Sequence, residues 1–228
     1  RRMLEDNTIR LGQYESAIRG GLPVQSRTQE RADVGSYYIE DVRRQLIEMY
    51  GEQEKDGPYS VYSGGLWVRT SLDTTLQEAA TKALRDGLLR YDRGQPWAGP
   101  VATMEFDDKW ASRFAGTNIR INYEDWRTAV VISKDSSSAT IGFASGQTGN
   151  LPSWRAEMVK KGGGTAFSAL KPGDIIVVAP SGDNWVMRKV PEVSGGMVVE
   201  QPHSGRSVAM QGGFDSQLQA FNRAGQAE

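Results

Sequence analysis

Ser168 and Lys171 stand three residues apart in Ser168-Ala169-Leu170-Lys171. This is the Ser-x-x-Lys spacing in which a lysine one helical turn away can activate a serine as an acyl-enzyme nucleophile. The chemistry requires both residues on a helix. Here Pro172-Gly173-Asp174 follows at once and opens a strand pattern, so the sequence predicts a turn. Ser181-Gly182-Asp183-Asn184 superficially resembles a Ser-x-Asn element, but its Gly and Asp predict a hairpin turn. Lys161-Gly162-Gly163 lacks the Ser or Thr of a Lys-Thr-Gly strand. Three partial matches do not make a site, and no catalytic residue is assigned.

Other chemistries are excluded or left without residues. The chain has no cysteine, which removes a thiol nucleophile, a disulfide framework and a Cys zinc site. Its one histidine, His203, lies in Gln201-Pro202-His203-Ser204-Gly205, a hairpin-turn composition and not a triad or metal setting. Asp107 and Asp108 are adjacent, so on a helix they diverge by about 100° and form no acid/base pair. No phosphate loop or dinucleotide fingerprint occurs. Cofactor-binding and metal residues are therefore read as none.

Trp126, Trp154 and Trp185 stand beside or near Arg127, Arg155 and Arg188. On a small barrel such residues could stack single strands or sugars. The reading preferred from sequence is that they fill a small core. Lys+Arg (27) and Asp+Glu (28) nearly cancel across the 228 residues, which argues against a dedicated nucleic-acid binder.

These residues must be positioned by two kinds of element. Tyr38–Tyr50 carries Val42, Leu46, Met49 and Tyr50 as one apolar stripe, with Gly51 as a stop. Asp73 is the N-cap of a second helix over residues 74–91, with Leu76, Ala80, Ala83, Leu84 and Gly87 on its inward face. Residues 64–70 read as a short strand, and Phe106–Phe114 as a short helix. Strands are predicted over 127–133, 138–144, 174–179, 185–190, 196–200 and 206–211. One long loop, holding Lys160–Gly164, lies between them. This spacing suggests a small barrel of the OB type. No apolar run reaches the ~18–20 residues that would cross a bilayer.

Three stretches together resemble the class A penicillin-binding proteins, bifunctional peptidoglycan synthases. Residues 1–22 (RRMLEDNTIRLGQYESAIRGGL) look like the helical hairpin closing their glycosyltransferase domain. Residues 64–92 resemble the linker with its Gly-Leu-x-Val-x-Thr-x-Leu-Asp signature. Residues 190–224 resemble the first strands of the transpeptidase domain, through Gly205-Arg206, Ala209-Met210, Gly212-Gly213 and Phe221-Asn222-Arg223-Ala224. Gly12, Ser207 and Gly225 depart from that pattern.

The resemblance implies an α+β chain: a helical linker segment, a small OB-like antiparallel β-barrel, and the first β-hairpin of a penicillin-binding transpeptidase domain. The expected divisions are 1–22 as the end of the glycosyltransferase domain, 23–121 as linker helices, 122–189 as the OB-like insert and 190–228 as the start of the transpeptidase domain. Both catalytic centres are expected outside the sequence, upstream of Arg1 and just after Glu228. By resemblance, the parent enzyme would act in the periplasm, anchored to the bacterial inner membrane by a segment outside this chain. It would polymerise lipid II and cross-link stem peptides. The segment would connect and orient the two sites, and an envelope activator protein could dock on the insert. No nucleic-acid partner is expected. Two alternatives stay open, a stand-alone OB-fold binding module for glycan or single-stranded nucleic acid, and an acylating enzyme using Ser168.

Overall fold

The structure, a computed structural model, describes residues 5, 6, 8–19 and 34–218. The chain divides into two compact units, residues 1–32 and 33–228. In the first, helix α1 (Leu11–Arg19) is entered through Arg10, whose backbone N–H donates to the Gln13 side chain at 2.9 Å. Gly12 is accommodated inside this helix. Residues 1–4, 7 and 20–22, the linker start at 23–33 and Phe221–Ala224 lie outside the described residues.

The second unit is built around an antiparallel sheet. Its strands are β1 (Ala102–Thr103), β2 (Arg127–Lys134), β3 (Ser138–Gly142), β4 (Thr148–Pro152), β5 (Asp174–Ser181) and β6 (Asn184–Arg188). The hydrogen-bonded order is β1-β5-β2-β3-β4, with β6 on β5. Strand β5 is the spine. One of its edges takes β2, and the other takes β1 at Asp174–Ile175 and then β6 from Val177 onward. Strands β4 and β6 approach across the remaining gap, where Asn150 donates to Asn184 at 2.9 Å. A Cβ at Gly149 would enter the Trp185 ring, so glycine permits this approach.

Alternation along the strands divides two cores. Ala129 and Val131 of β2, Ile176 and Val178 of β5, Ile141, Leu151 and Phe167 fill the barrel. Val130 and Ile175 point the other way, onto Phe114 of helix α4 (Trp110–Gly116). Both faces of β2 and β5 are thus dry, which explains their nearly unbroken Val/Ile composition. The Asp135–Ser137 hairpin and the 180–184 hairpin form as expected. Two strands were not legible. Strand β1 has only two residues, and β4 (TGNLP) has no apolar alternation. The sheet therefore reaches back before residue 122.

Beside the barrel lie helices α2 (Ser36–Tyr50) and α3 (Thr74–Asp92) and the hairpin β7 (Met197–Gln201)–β8 (Arg206–Gln211). Asp73 caps α3, accepting from the Leu76 amide at 3.0 Å. The inward faces differ from expectation. In α3 the buried residues are Gln77, Ala80, Leu88 and Asp92, while Leu76, Ala83 and Gly87 are exposed. Two polar residues on the buried face disguised the stripe. In α2 the buried residues are Tyr37 and Tyr38, and Met49 and Tyr50 are exposed. Residues 64–70 form no strand, and Gly65 stands at φ +62°. Among the described residues no helix is long and apolar enough to cross a membrane. The fold class is the expected one, helices plus a small OB-like barrel and a hairpin.

Candidate functional site: a junction and the cleft beside it

The residues considered for serine chemistry are separated by the fold. Ser168 is the third residue of a one-turn helix, α5 (Ala166–Ala169). Its hydroxyl donates to the Thr165 carbonyl at 2.7 Å and accepts from the Thr165 amide at 3.2 Å, the second half of a capping box. Lys171 lies past the helix end, its backbone N–H donating to Asp174 at 2.8 Å. The lysine that does approach is Lys134, whose ammonium donates to the Phe167 and Ser168 carbonyls at 3.1 and 3.0 Å. No hydrogen bond joins Ser168 Oγ to a lysine among the described residues. Ser181 instead accepts from Arg155, and Lys161 is tied through its backbone N–H to the Trp97 carbonyl. His203 is exposed in the β7–β8 turn. Asp107 accepts from the Lys109 amide and pairs with Arg113, which also reaches Glu105.

What the fold does bring together is a polar and aromatic junction. Asp215, just beyond β8, has a side chain 1% exposed. It accepts from the Asn122 amide in the segment leading into β2 and from the Gln217 amide, each at 2.8 Å, and pairs with Arg85 of α3 at 3.4 Å. Arg85 also donates to the Phe214 carbonyl at 2.7 Å. Its guanidinium lies 5.4 Å from the centre of the Tyr123 ring and 5.6 Å from that of Phe214. Tyr123 meets Trp126 edge-on at 4.9 Å, and both rings pack on Phe214. Burial, and then the neighbouring Glu124 carboxylate, hold the Tyr123 phenol above its usual pKa. One carboxylate thus ties together a helix, the segment leading into β2 and the segment after the hairpin.

A second tie lies where the chain leaves the barrel. Lys189, directly after β6, pairs with the buried Asp92 at the end of α3 at 2.8 Å and donates to the Gln95 carbonyl at 2.7 Å. Beside it lies an open cleft of about 930 Å³, lined among others by Arg93, Trp126, Trp154, Arg155 and Arg188. Trp185 packs at the barrel with Phe143, ring centres 4.6 Å apart, as core filling predicts. Trp154 does not. It is 60% exposed, with the Arg155 guanidinium 4.4 Å from its ring centre. Sequence alone could not separate the two tryptophans, because both sit in short segments of mixed polarity.

Comparison with known proteins places this arrangement in a family. Residues 97–193 match the family described as the penicillin-binding protein OB-like domain. The chain is 31% identical over 226 residues to penicillin-binding protein 1A of Rickettsia prowazekii, covering 99% of the chain and 28% of that protein. It is 28% identical over 239 residues to penicillin-binding protein 1A of Escherichia coli, covering 99% of the chain and 27% of that protein. The chain therefore spans under a third of the length of the curated relatives it matches. A crystal structure of penicillin-binding protein 1A from Haemophilus influenzae matches with a TM-score of 0.65 and 26% identity, over 99% of this chain and 32% of that one. By sequence and by structure together the chain belongs with the class A penicillin-binding proteins, and residues 97–193 are its OB-like domain.

Proposed function

We propose that this segment is the connector of a bifunctional peptidoglycan synthase. It sets the orientation between a glycosyltransferase domain before it and a transpeptidase domain after it. The parent enzyme would polymerise lipid II and cross-link stem peptides on the periplasmic side of the bacterial inner membrane, to which a segment outside the described residues anchors it. The observation that supports this most is the Arg85–Asp215 junction, where α3, the segment leading into β2 at Asn122 and the chain leaving β8 share one buried carboxylate. A buried hydrogen-bonded network of this kind has few alternative arrangements and rigidifies the elements it joins. An envelope protein docking on the OB-like domain would act through the same junction. The hairpin supports the division at about residue 190, since β7 and β8 pair only with each other among the described residues and pack on α3.

The test uses the full-length protein, with glycan polymerisation and peptide cross-linking measured separately. Arg85→Ala is expected to leave polymerisation within about twofold and to lower cross-linking per strand at least fivefold. Cross-linking at the unsubstituted level, in a variant whose Tm shows the junction weakened, would overturn the connector reading.

A further inference from the structure

The cleft beside the Lys189–Asp92 tie has a composition that the connector role does not need. Trp154 is held on the surface by the 3-10 turn Ser153–Arg155, with Arg155 stacked on its ring and anchored to the Ser181 hydroxyl. An exposed large aromatic in a fixed pose is the kind of surface feature that calls for an explanation. A second ring, Trp126, lines the same cleft with the Arg188 guanidinium 6.0 Å from its centre. Charge is lopsided here. Lys189 and Asp92 neutralise each other, which leaves Arg93, Arg155 and Arg188 facing Glu157. Arg155 Nε is buried and without a hydrogen-bond partner among the described residues, a donor left over for an acceptor in the cleft while the same side chain keeps its hold on Ser181 and Trp154.

Two aromatic faces, each with a guanidinium beside it, suit a polymer of flat, weakly polar faces and intermittent carboxylates. Tryptophan faces take the apolar side of a sugar ring, and guanidinium forks take a carboxylate. A nucleic acid presents a phosphate at every residue and is held by dense, salt-sensitive cation contacts. Three arginines against one glutamate, in a chain of net charge -1, are too sparse for that. We propose that this cleft binds a carboxylate-bearing glycan strand, with sugars stacked on Trp154 and Trp126 and carboxylates met by Arg155 and Arg188. The strand's source, nascent peptidoglycan, rests on the connector reading, while the cleft's chemistry does not.

The experiment follows the anisotropy of end-labelled, uncross-linked peptidoglycan strands titrated with the full 228-residue chain. Chito-oligosaccharide, which lacks the carboxylates, and oligothymidylate are titrated in parallel. Peptidoglycan strands are expected to bind, more weakly as salt rises. Trp154→Ala and Arg188→Glu should each raise Kd about tenfold without moving Tm, since both side chains are exposed. No binding of the strands, or binding untouched by both substitutions, overturns the proposal. Equal binding of chito-oligosaccharide overturns the role given to the arginines, and equal binding of oligothymidylate overturns the glycan assignment. None of these outcomes touches the Arg85→Ala result, which tests the connector reading separately.

Discussion

Gln77, inside a helix, pairs with the backbone of Met210 as a neighbouring strand would: its side-chain amide donates to the Met210 carbonyl at 3.0 Å, and its side-chain oxygen accepts from the Met210 N–H at 2.9 Å. The residue is 1% exposed. Strand β8 has β7 on one edge, and this side chain supplies part of what the other edge lacks. The Asp73 N–H does the same for the Val208 carbonyl at 2.9 Å, as do the Ser71 and Tyr38 hydroxyls for the Ser207 carbonyl at 2.8 and 3.1 Å. A row of side chains and one amide thus replaces a ladder.

Replacing Gln77 by leucine keeps much of the volume and strands two buried backbone groups. At about 1–3 kcal/mol for each buried group left unpaired, Gln77→Leu is expected to lower stability by about 2–6 kcal/mol. The urea midpoint should fall with an unchanged slope. A loss under about 0.5 kcal/mol would show that β8 is held by packing alone.

Removing one member of a buried ion pair leaves the other charge uncompensated, which typically costs about 3–5 kcal/mol. The side chains of Arg85 and Asp215 are 17% and 1% exposed, so Arg85→Met should cost about 3 kcal/mol. The double variant Arg85→Met/Asp215→Asn should recover part of that loss. A thermodynamic cycle of the four proteins measures the coupling, and zero coupling would remove the pair from the junction.

Gly173 sits at φ +92°, where a Cβ would run into the Met104 carbonyl oxygen. That contact lies beside the Met104 N–H bond to the Gly173 carbonyl at 2.9 Å, next to the β1–β5 pairing. Both backbone strain and collision oppose a side chain. Gly173→Ala is expected to lose about 2 kcal/mol or more, with faster amide exchange at Val101 and Met104. Wild-type protection at those two amides would contradict it.

The Asp135 carboxylate accepts from the Ser137 and Ser138 amides at 2.6 and 2.9 Å and from the Ser137 hydroxyl at 2.8 Å. These bonds, the Ser137 amide first, hold its pKa below the usual 3.8. A depressed carboxylate contributes stability above its unfolded pKa and loses it as pH falls through the folded one. The β2–β3 hairpin should therefore weaken below about pH 4. Asp135→Ala is expected to be less stable at neutral pH and to show a shallower acid decline. Parallel Tm-against-pH curves for the two proteins would refute this.

The barrel was readable because β2 and β5 are buried on both sides and carry runs such as Ala129-Val130-Val131 and Ile175–Val178. Hairpins were readable from turn chemistry at Asp135 and Gly182. The α3 face was not, because hydrophobic periodicity is blind to a buried glutamine that acts as backbone partner and to a buried aspartate that holds a lysine. Strand β4 was missed for a related reason: its pairing is set by β3, not by its own residues. The junction was the least legible feature. Arg85, Asn122 and Asp215 lie far apart in sequence, and nothing local marks any of them. The Ser-x-x-Lys pattern shows the converse, a match in spacing that the fold uses for a helix cap.

Strand β5 receives β1 and β6 side by side on one edge. The chain consequently enters and leaves the OB-like domain at the same place, and the Lys189 contacts to Asp92 and Gln95 stitch the doorway shut. A domain hung on a single closed doorway is a detachable module. It can be enlarged, exchanged or lost in the course of evolution while the helix before it and the hairpin after it keep their mutual register, because the Gln77–Met210 and Arg85–Phe214 bonds that fix that register lie outside the module.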